Sequence, residues 1–144
     1  MFDTVVAIEL ETTGPDPYRH EILELAGAIY ADGEISARFS ELVRPAGPVP
    51  VAVRKAAGLR AATRGPSSDA RDPGAVLADF LDFLPEGATC ISHHARRVRG
   101  FLRRATRDQF RRPVLDTEEL ARIGLPDLPE HTLEGLRDLS LIHI

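Results

Sequence analysis

Cysteine is almost absent from this chain. Cys90 stands alone among 144 residues, which excludes an internal disulfide framework and any cysteine-rich metal site. A lone thiol suits a reducing compartment. Positive charge is not in excess either: eighteen basic residues against twenty-two acidic ones leave a net charge of −4. No global positive field therefore points to nucleic acid, although a local patch suffices for binding. Long apolar runs are missing, none approaching the ~20 residues of a membrane span. Asp3 and Glu9 bracket the only N-terminal stretch that could pass for a signal peptide. No repeat period and no low-complexity tract stands out. These absences lead to the expectation of a soluble, cytoplasmic domain with no membrane partner. What is present is ordinary for a globular protein, with 43% hydrophobic and 28% charged residues. The length fits one domain, large enough to bury well over half of the surface its unfolded chain exposes.

The first third reads as strands. Thr4 to Leu10 is a nearly continuous apolar run, β-branched at Val5, Val6 and Ile8, as a buried central strand requires. Thr12 to Pro17 breaks it with Gly14, Pro15 and Pro17. Ile22 to Tyr30 is a second strand, ended by the turn signal Ala31-Asp32-Gly33. Ile35 to Val43 pairs with it as a hairpin, with Ile35, Ala37 and Phe39 expected on one side. Arg44 to Pro50 is a proline-spaced loop. The remainder reads as helices with short strands between them. Pro73 to Leu84 carries Val76, Leu77, Phe80, Leu81 and Leu84 as a helical stripe, with Asp72 as its cap and Pro73 at its first position. Ala88 to Ser92 is a short strand. His94 to Gln109 is a helix, with Val98, Phe101, Leu102 and Ala105 at helical spacing. Helices also start at Asp116-Thr117-Glu118-Glu119 and at Thr132-Leu133. Three strands followed by alternating helices and strands indicate an α/β fold with a mixed sheet.

Chemistry concentrates at the end of the first strand. Glu9 and Glu11 stand at i and i+2, so both point to one face. Like charges at the rim of a core repel and lose solvation unless a cation joins them, and carboxylates are the hard oxygen ligands that magnesium or manganese prefers. The alternative is a strand that frays early and leaves both acids solvated; this segment by itself does not separate the two.

Glu9-Leu10-Glu11-Thr12-Thr13-Gly14 resembles the D-x-E-T-T-G motif that opens the DEDD (DnaQ-like) 3′–5′ exonucleases, the ribonuclease H-like domains typified by the epsilon proofreading subunit of DNA polymerase III. The similarity continues in order along the chain. His20 to Ala28 is similar to the family's second strand, Asp32-Gly33-Glu34-Ile35 to its hairpin turn, and Arg44-Pro45 to Pro50 to the following loop. Ala57-Gly58-Leu59, Pro113 to Thr117 and His131-Thr132-Leu133-Glu134 resemble later landmarks. The resemblance implies a mixed five-stranded sheet, three antiparallel strands and then parallel ones, flanked by helices on both faces. It also implies phosphodiester hydrolysis by two Mg²⁺ or Mn²⁺ ions ~3.5–4 Å apart, held by four carboxylates, with a histidine as general base.

The resemblance assigns Glu9 and Glu11 as the catalytic, metal-binding acids. It makes Thr12, Thr13, Gly14, His93, His94, Arg103 and Arg104 candidate contacts for a single-stranded 3′ end. Two departures bear on activity. Glu9 stands where the family has aspartate, and shifting a metal by about an ångström costs on the order of 10²-fold in rate. The third acid should end an H-N-x-x-F-D segment; here the run is His93-His94-Ala95-Arg96-Arg97-Val98, so Val98 occupies a vacated ligand position. No H-x-x-x-x-D segment supplies the fourth acid and the base. At most one weakly bound ion is therefore expected. Residues 1–138 are read as an exonuclease-like domain truncated at its C-terminus. Leu139 to Ile144 resembles the translation of a sequencing adapter and is read as a non-native tail, the alternative being a strand.

Seventeen of the eighteen basic residues are arginine, eight of them between Arg96 and Arg112. Guanidinium forks suit phosphate, but the charge wraps around the expected helix, as a solvated face would. His93-His94 has no zinc-ligand spacing, Asp116 reads as a helix cap, and Cys90 as inert packing. Three functions follow: a catalytically silent exonuclease fold that binds nucleic acid or steadies a larger polymerase or helicase protein, an active metal-dependent exonuclease, and a protein-interaction module.

Overall fold

The alternation of Val6, Ile8 and Leu10 with Ala7 and Glu9 sets the first strand, β1 (Thr4–Thr12): the aliphatic side chains are buried, while Ala7 and Glu9 are exposed. The computed structural model describes residues 4–56 and 69–142. β2 (Ile22–Ala31) and β3 (Glu34–Leu42) follow as antiparallel neighbours, joined through the left-handed Asp32-Gly33 turn. A short helix, α1 (Val51–Ala56), follows the loop expected up to Pro50. The Ala57-Gly58-Leu59 landmark lies outside the described residues. Then come α2 (Pro73–Phe83), β4 (Thr89–Ser92), α3 (Ala95–Ala105), β5 (Val114–Asp116), α4 (Thr117–Gly124) and α5 (Leu133–Ile142). The sheet order is β3-β2-β1-β4-β5, with β4 and β5 parallel to β1. This is the mixed five-stranded sheet of the ribonuclease H-like fold, and β1 is its central strand, as its apolar run requires.

One face of the sheet carries the core. Val76, Leu77 and Phe80 of α2 and Val98, Phe101 and Leu102 of α3 pack onto Val6, Ile8, Leu10 and Leu25. Phe39, Phe80 and Phe83 form an aromatic group with ring centroids 5.3–6.2 Å apart. Helices on both faces were expected. Among the described residues, neither 117–124 nor 133–139 contains a buried position. The opposite face offers little to bury: its central strip is Ala7, Ala26 and Ala28, bordered by Glu9, Glu11 and Glu24.

Three local expectations are corrected. Ile35 does not share a side with Ala37 and Phe39. The register shifts between Ile29 and Tyr30, so Ala37 pairs with Ile29 while Ile35 pairs with Tyr30. The extra residue, Ser36, turns Ile35 out beside Tyr30, and both are exposed. The helix expected to reach Gln109 stops at Ala105, which is exposed. There the Thr106 hydroxyl donates to the Leu102 carbonyl and accepts from the Phe110 N–H, and Arg107 and Asp108 adopt left-handed backbone. Thr106 and Phe110 are buried in place of Ala105. Finally, Leu139 to Ile142 continues helix α5, so the strand alternative for that run does not hold. Cys90 is fully buried, and burial pushes its thiol above the ordinary range, consistent with inert packing.

Candidate active-site cleft

Parallel pairing brings the carboxyl ends of β1, β4 and β5 to one edge, the usual place for ligands in open α/β sheets. Ala7 pairs with Ile91, so Glu9 and His93 each follow two residues later; Ser92 pairs with Asp116. A cleft of about 630 Å³ opens there, lined by Glu9, Glu11, His93, His94, Glu118 and Arg122 and by residues 129–134. The two acids share a face as their spacing demands. Glu9 is exposed and Glu11 half-buried, and the strand stays paired through Thr12 rather than fraying. Burial first, and then the charge on Glu9, raise the Glu11 carboxyl above its ordinary value; Arg97 opposes the rise and Glu24, its partner across the strand pair, adds to it.

Arg97 therefore acts within this site rather than on the helix surface. Its Nη2 donates to Thr12 Oγ1 at 2.6 Å, and its Nε is buried without a hydrogen-bond partner among the described residues. Thr12 is itself buried and donates to the Gly14 carbonyl at 2.8 Å. Thr13 Oγ1 accepts from the Glu21 N–H, and a Cβ at Gly14 would stand only 2.3 Å from the His20 ring. The Thr12-Thr13-Gly14 turn is thus committed to internal contacts. Val98, one residue past Arg97, is 3% exposed and packs in the core.

His93 and His94 sit between β4 and α3. The His93 Nδ1 is 3.1 Å from Thr117 Oγ1, and the His94 Nδ1 is 2.9 Å from Glu118 Oε2. Asp116 caps α4 by accepting from Glu118 N and Glu119 N, and it also accepts from Ala95 N at 2.7 Å. Burial works against its charge, but those N–H groups and that of His94 outweigh it and hold the carboxyl below the ordinary range. Glu118 is likewise held low, first by its hydrogen bond from Arg122 at 2.5 Å. Glu118 and the contact of Arg97 with Thr12 were not foreseen from the motifs. The first lay in a readable helix start; the second had no signal in spacing.

Arg103 and Arg104 do not line this cleft. Arg103 pairs with Asp108, and Arg104 lies over the Tyr18 ring, 5.7 Å from its centroid, beside a second cavity. Arg112 donates to the Leu84 and Pro85 carbonyls. The arginine cluster is therefore dispersed. No helix among the described residues is long and apolar enough to cross a membrane.

Comparison with known proteins agrees with this geometry. The exonuclease family profile matches residues 6–143. The chain is 30% identical over 139 residues to DNA polymerase III subunit epsilon of Aquifex aeolicus (strain VF5), covering 94% of this chain and 67% of that one. It is 28% identical over 144 residues to the 3′-5′ exonuclease DinG of Bacillus subtilis (strain 168), and 29% identical over 138 residues to the PolC-type DNA polymerase III of Bacillus cereus (strain ATCC 14579). The chain spans only 15% and 9% of those two longer proteins. Among solved structures, exonuclease X in complex with 5′-overhanging duplex DNA superposes with a TM-score of 0.71 at 21% identity, covering 94% of this chain and 72% of that one. The zinc-bound E. coli exonuclease I complex with single-stranded DNA gives 0.74 at 15% identity, over 94% and 34%. The ordered motifs, the sheet order and these matches together make the chain a member of the DnaQ-like exonuclease family, with the ribonuclease H-like fold.

Proposed function

We propose that this domain keeps the exonuclease scaffold and engages a single-stranded 3′ end of nucleic acid, but hydrolyses it little or not at all. The reading rests on two residues of α3, Arg97 and Val98. Where the family pattern has an aspartate, Val98 is a buried isopropyl group without a donor atom, and the adjacent Arg97 guanidinium stands close enough to Glu11 to favour its charged form. A pair of divalent ions needs oxygen ligands on both sides. Glu9 and Glu11 supply one side only, and Arg97 already offers Glu11 a fixed positive charge. The two-ion arrangement does not fit these residues, so no hydrolytic step is assigned; one weakly held Mg²⁺ or Mn²⁺ at Glu9 and Glu11 is the most they support.

Nucleic acid would reach the cleft past His93 and His94, with Arg103 and Arg104 contributing charge from the flank after exchanging their partners Asp108 and Tyr18. The similarity to segments of polymerase III and DinG proteins supports a role within a longer cytoplasmic replication or repair protein. A single-turnover assay on 3′-labelled single-stranded DNA with Mn²⁺ tests the reading. No cleavage above background is expected; cleavage that disappears in Glu11→Ala would overturn it in favour of an active exonuclease. Oligonucleotide affinity should fall with salt and weaken in the Arg103→Ala/Arg104→Ala double variant. Absence of any oligonucleotide binding would favour a protein-interaction module instead.

A further inference from the structure

We propose that His93, His94 and Glu118 form a binding site for one borderline divalent transition-metal ion of the zinc type, separate from the Glu9–Glu11 pair. The three side chains come from the end of β4, the start of α3 and the first turn of α4, and they offer ligand atoms that all lie within 4.8 Å of one another. Two atoms bound to one such ion at about 2.0–2.1 Å each stand roughly 2.9–3.4 Å apart. The 2.9 Å between His94 Nδ1 and Glu118 Oε2 is already that edge, so an ion can replace the hydrogen bond there without moving the backbone. The His93 ring is held by Thr117 Oγ1 at Nδ1, leaving Nε2 as the ligand. A hydrogen bond at the far nitrogen of a ligating imidazole fixes its orientation, a place taken here by the Thr117 hydroxyl.

The donor set decides the ion. Two imidazole nitrogens and one carboxylate oxygen suit zinc and its neighbours and do not suit magnesium, which demands oxygen. Electrostatics permit a cation, although two helix N-termini point their positive ends at this corner. Asp116 lies across both, accepting from Ala95 N and Glu118 N, and cancels that field. Arg122 holds Glu118 through Oε1 and leaves Oε2 for the ion, while Glu9 and Glu11 add negative charge along the same cleft. With three protein ligands, water completes the coordination, so the site is open to a phosphate oxygen of a bound strand. The inference does not depend on whether the domain hydrolyses nucleic acid.

Cobalt(II) is the probe, because its visible absorption reports nitrogen coordination directly. Chelator-treated protein titrated with Co²⁺ should develop absorption that saturates at one ion per chain and is displaced by Zn²⁺. His94→Asn should weaken binding at least tenfold while keeping the fold, since Asn tolerates the left-handed backbone at this position (φ 65°). Glu118→Gln, a second variant in the first turn of α4, should weaken it similarly. Glu11→Gln, which removes a neighbouring charge but no ligand, should weaken it far less than either of these. No visible absorption with Co²⁺, unchanged affinity in both His94→Asn and Glu118→Gln, or loss of the signal in Glu11→Gln would each overturn the proposal.

Discussion

Helices α2 and α3 are both eleven residues long and pack on the same face of the sheet, yet their first turns are built differently. α2 starts by the rules. Asp72 accepts from the Ala75 N–H and Pro73 takes the first position, where its missing donor costs nothing. α3 starts at His94, in left-handed backbone and with no side-chain cap of its own; the carboxylate that serves its first N–H comes from β5, as Asp116. Local stability governs the first case, and the assembly of the cleft governs the second. Places where a chain abandons its own local preferences are where function is to be sought.

That contrast can be broken experimentally, starting with the largest effect. Phe80, fully buried beneath Phe39 and Phe83, belongs to the purely structural side. Phe80→Ala should cost about 3–5 kcal/mol in urea unfolding. Asp72→Ala, which removes the cap of α2, should cost about 1 kcal/mol. His94→Gly should stay within about 0.5 kcal/mol of the parent, because relief of the left-handed residue offsets the loss of an exposed contact to Glu118. A cost at His94 equal to that at Asp72 would erase the distinction between the two starts.

The acid pair adds a pH signature. Burial, then Glu9, raise the Glu11 carboxyl above its ordinary value near 4.5. The unfolded chain therefore releases this proton first as pH rises, and stability is lost between the ordinary value and the raised one. Glu11→Gln should accordingly raise the melting temperature at pH 7 and change it least below pH 4.5, a comparison that thermal melts across pH read directly. An equal shift at both pH values would mean that charge at Glu11 carries no penalty.

Much of this was legible in the sequence, for definite reasons. β1 could be read because alternation and β-branching coincide at Val6 and Ile8, and α2 because Val76, Leu77 and Phe80 fall on one helical stripe below a recognisable cap. The acid pair could be read because i, i+2 spacing fixes a shared face. The outward turn of Ile35 was hidden, since a single inserted residue reverses the face without altering composition. The end of α3 was hidden because Thr106 terminates the helix through side-chain hydrogen bonds that apolar spacing does not register. The meeting of His93, His94 and Glu118 was invisible for another reason: adjacent parallel strands bring together residues 24 or more positions apart, which no spacing rule links.

In the proposed reading the carboxylates of this cleft hold no pair of hard cations, because Val98 is buried in the core without a donor atom and Arg97 already offers Glu11 a positive charge. Calorimetric titration with Mg²⁺ tests it most directly. At most one weakly bound ion, abolished by Glu11→Gln, is the predicted result; two tightly bound Mg²⁺ ions per chain would contradict it.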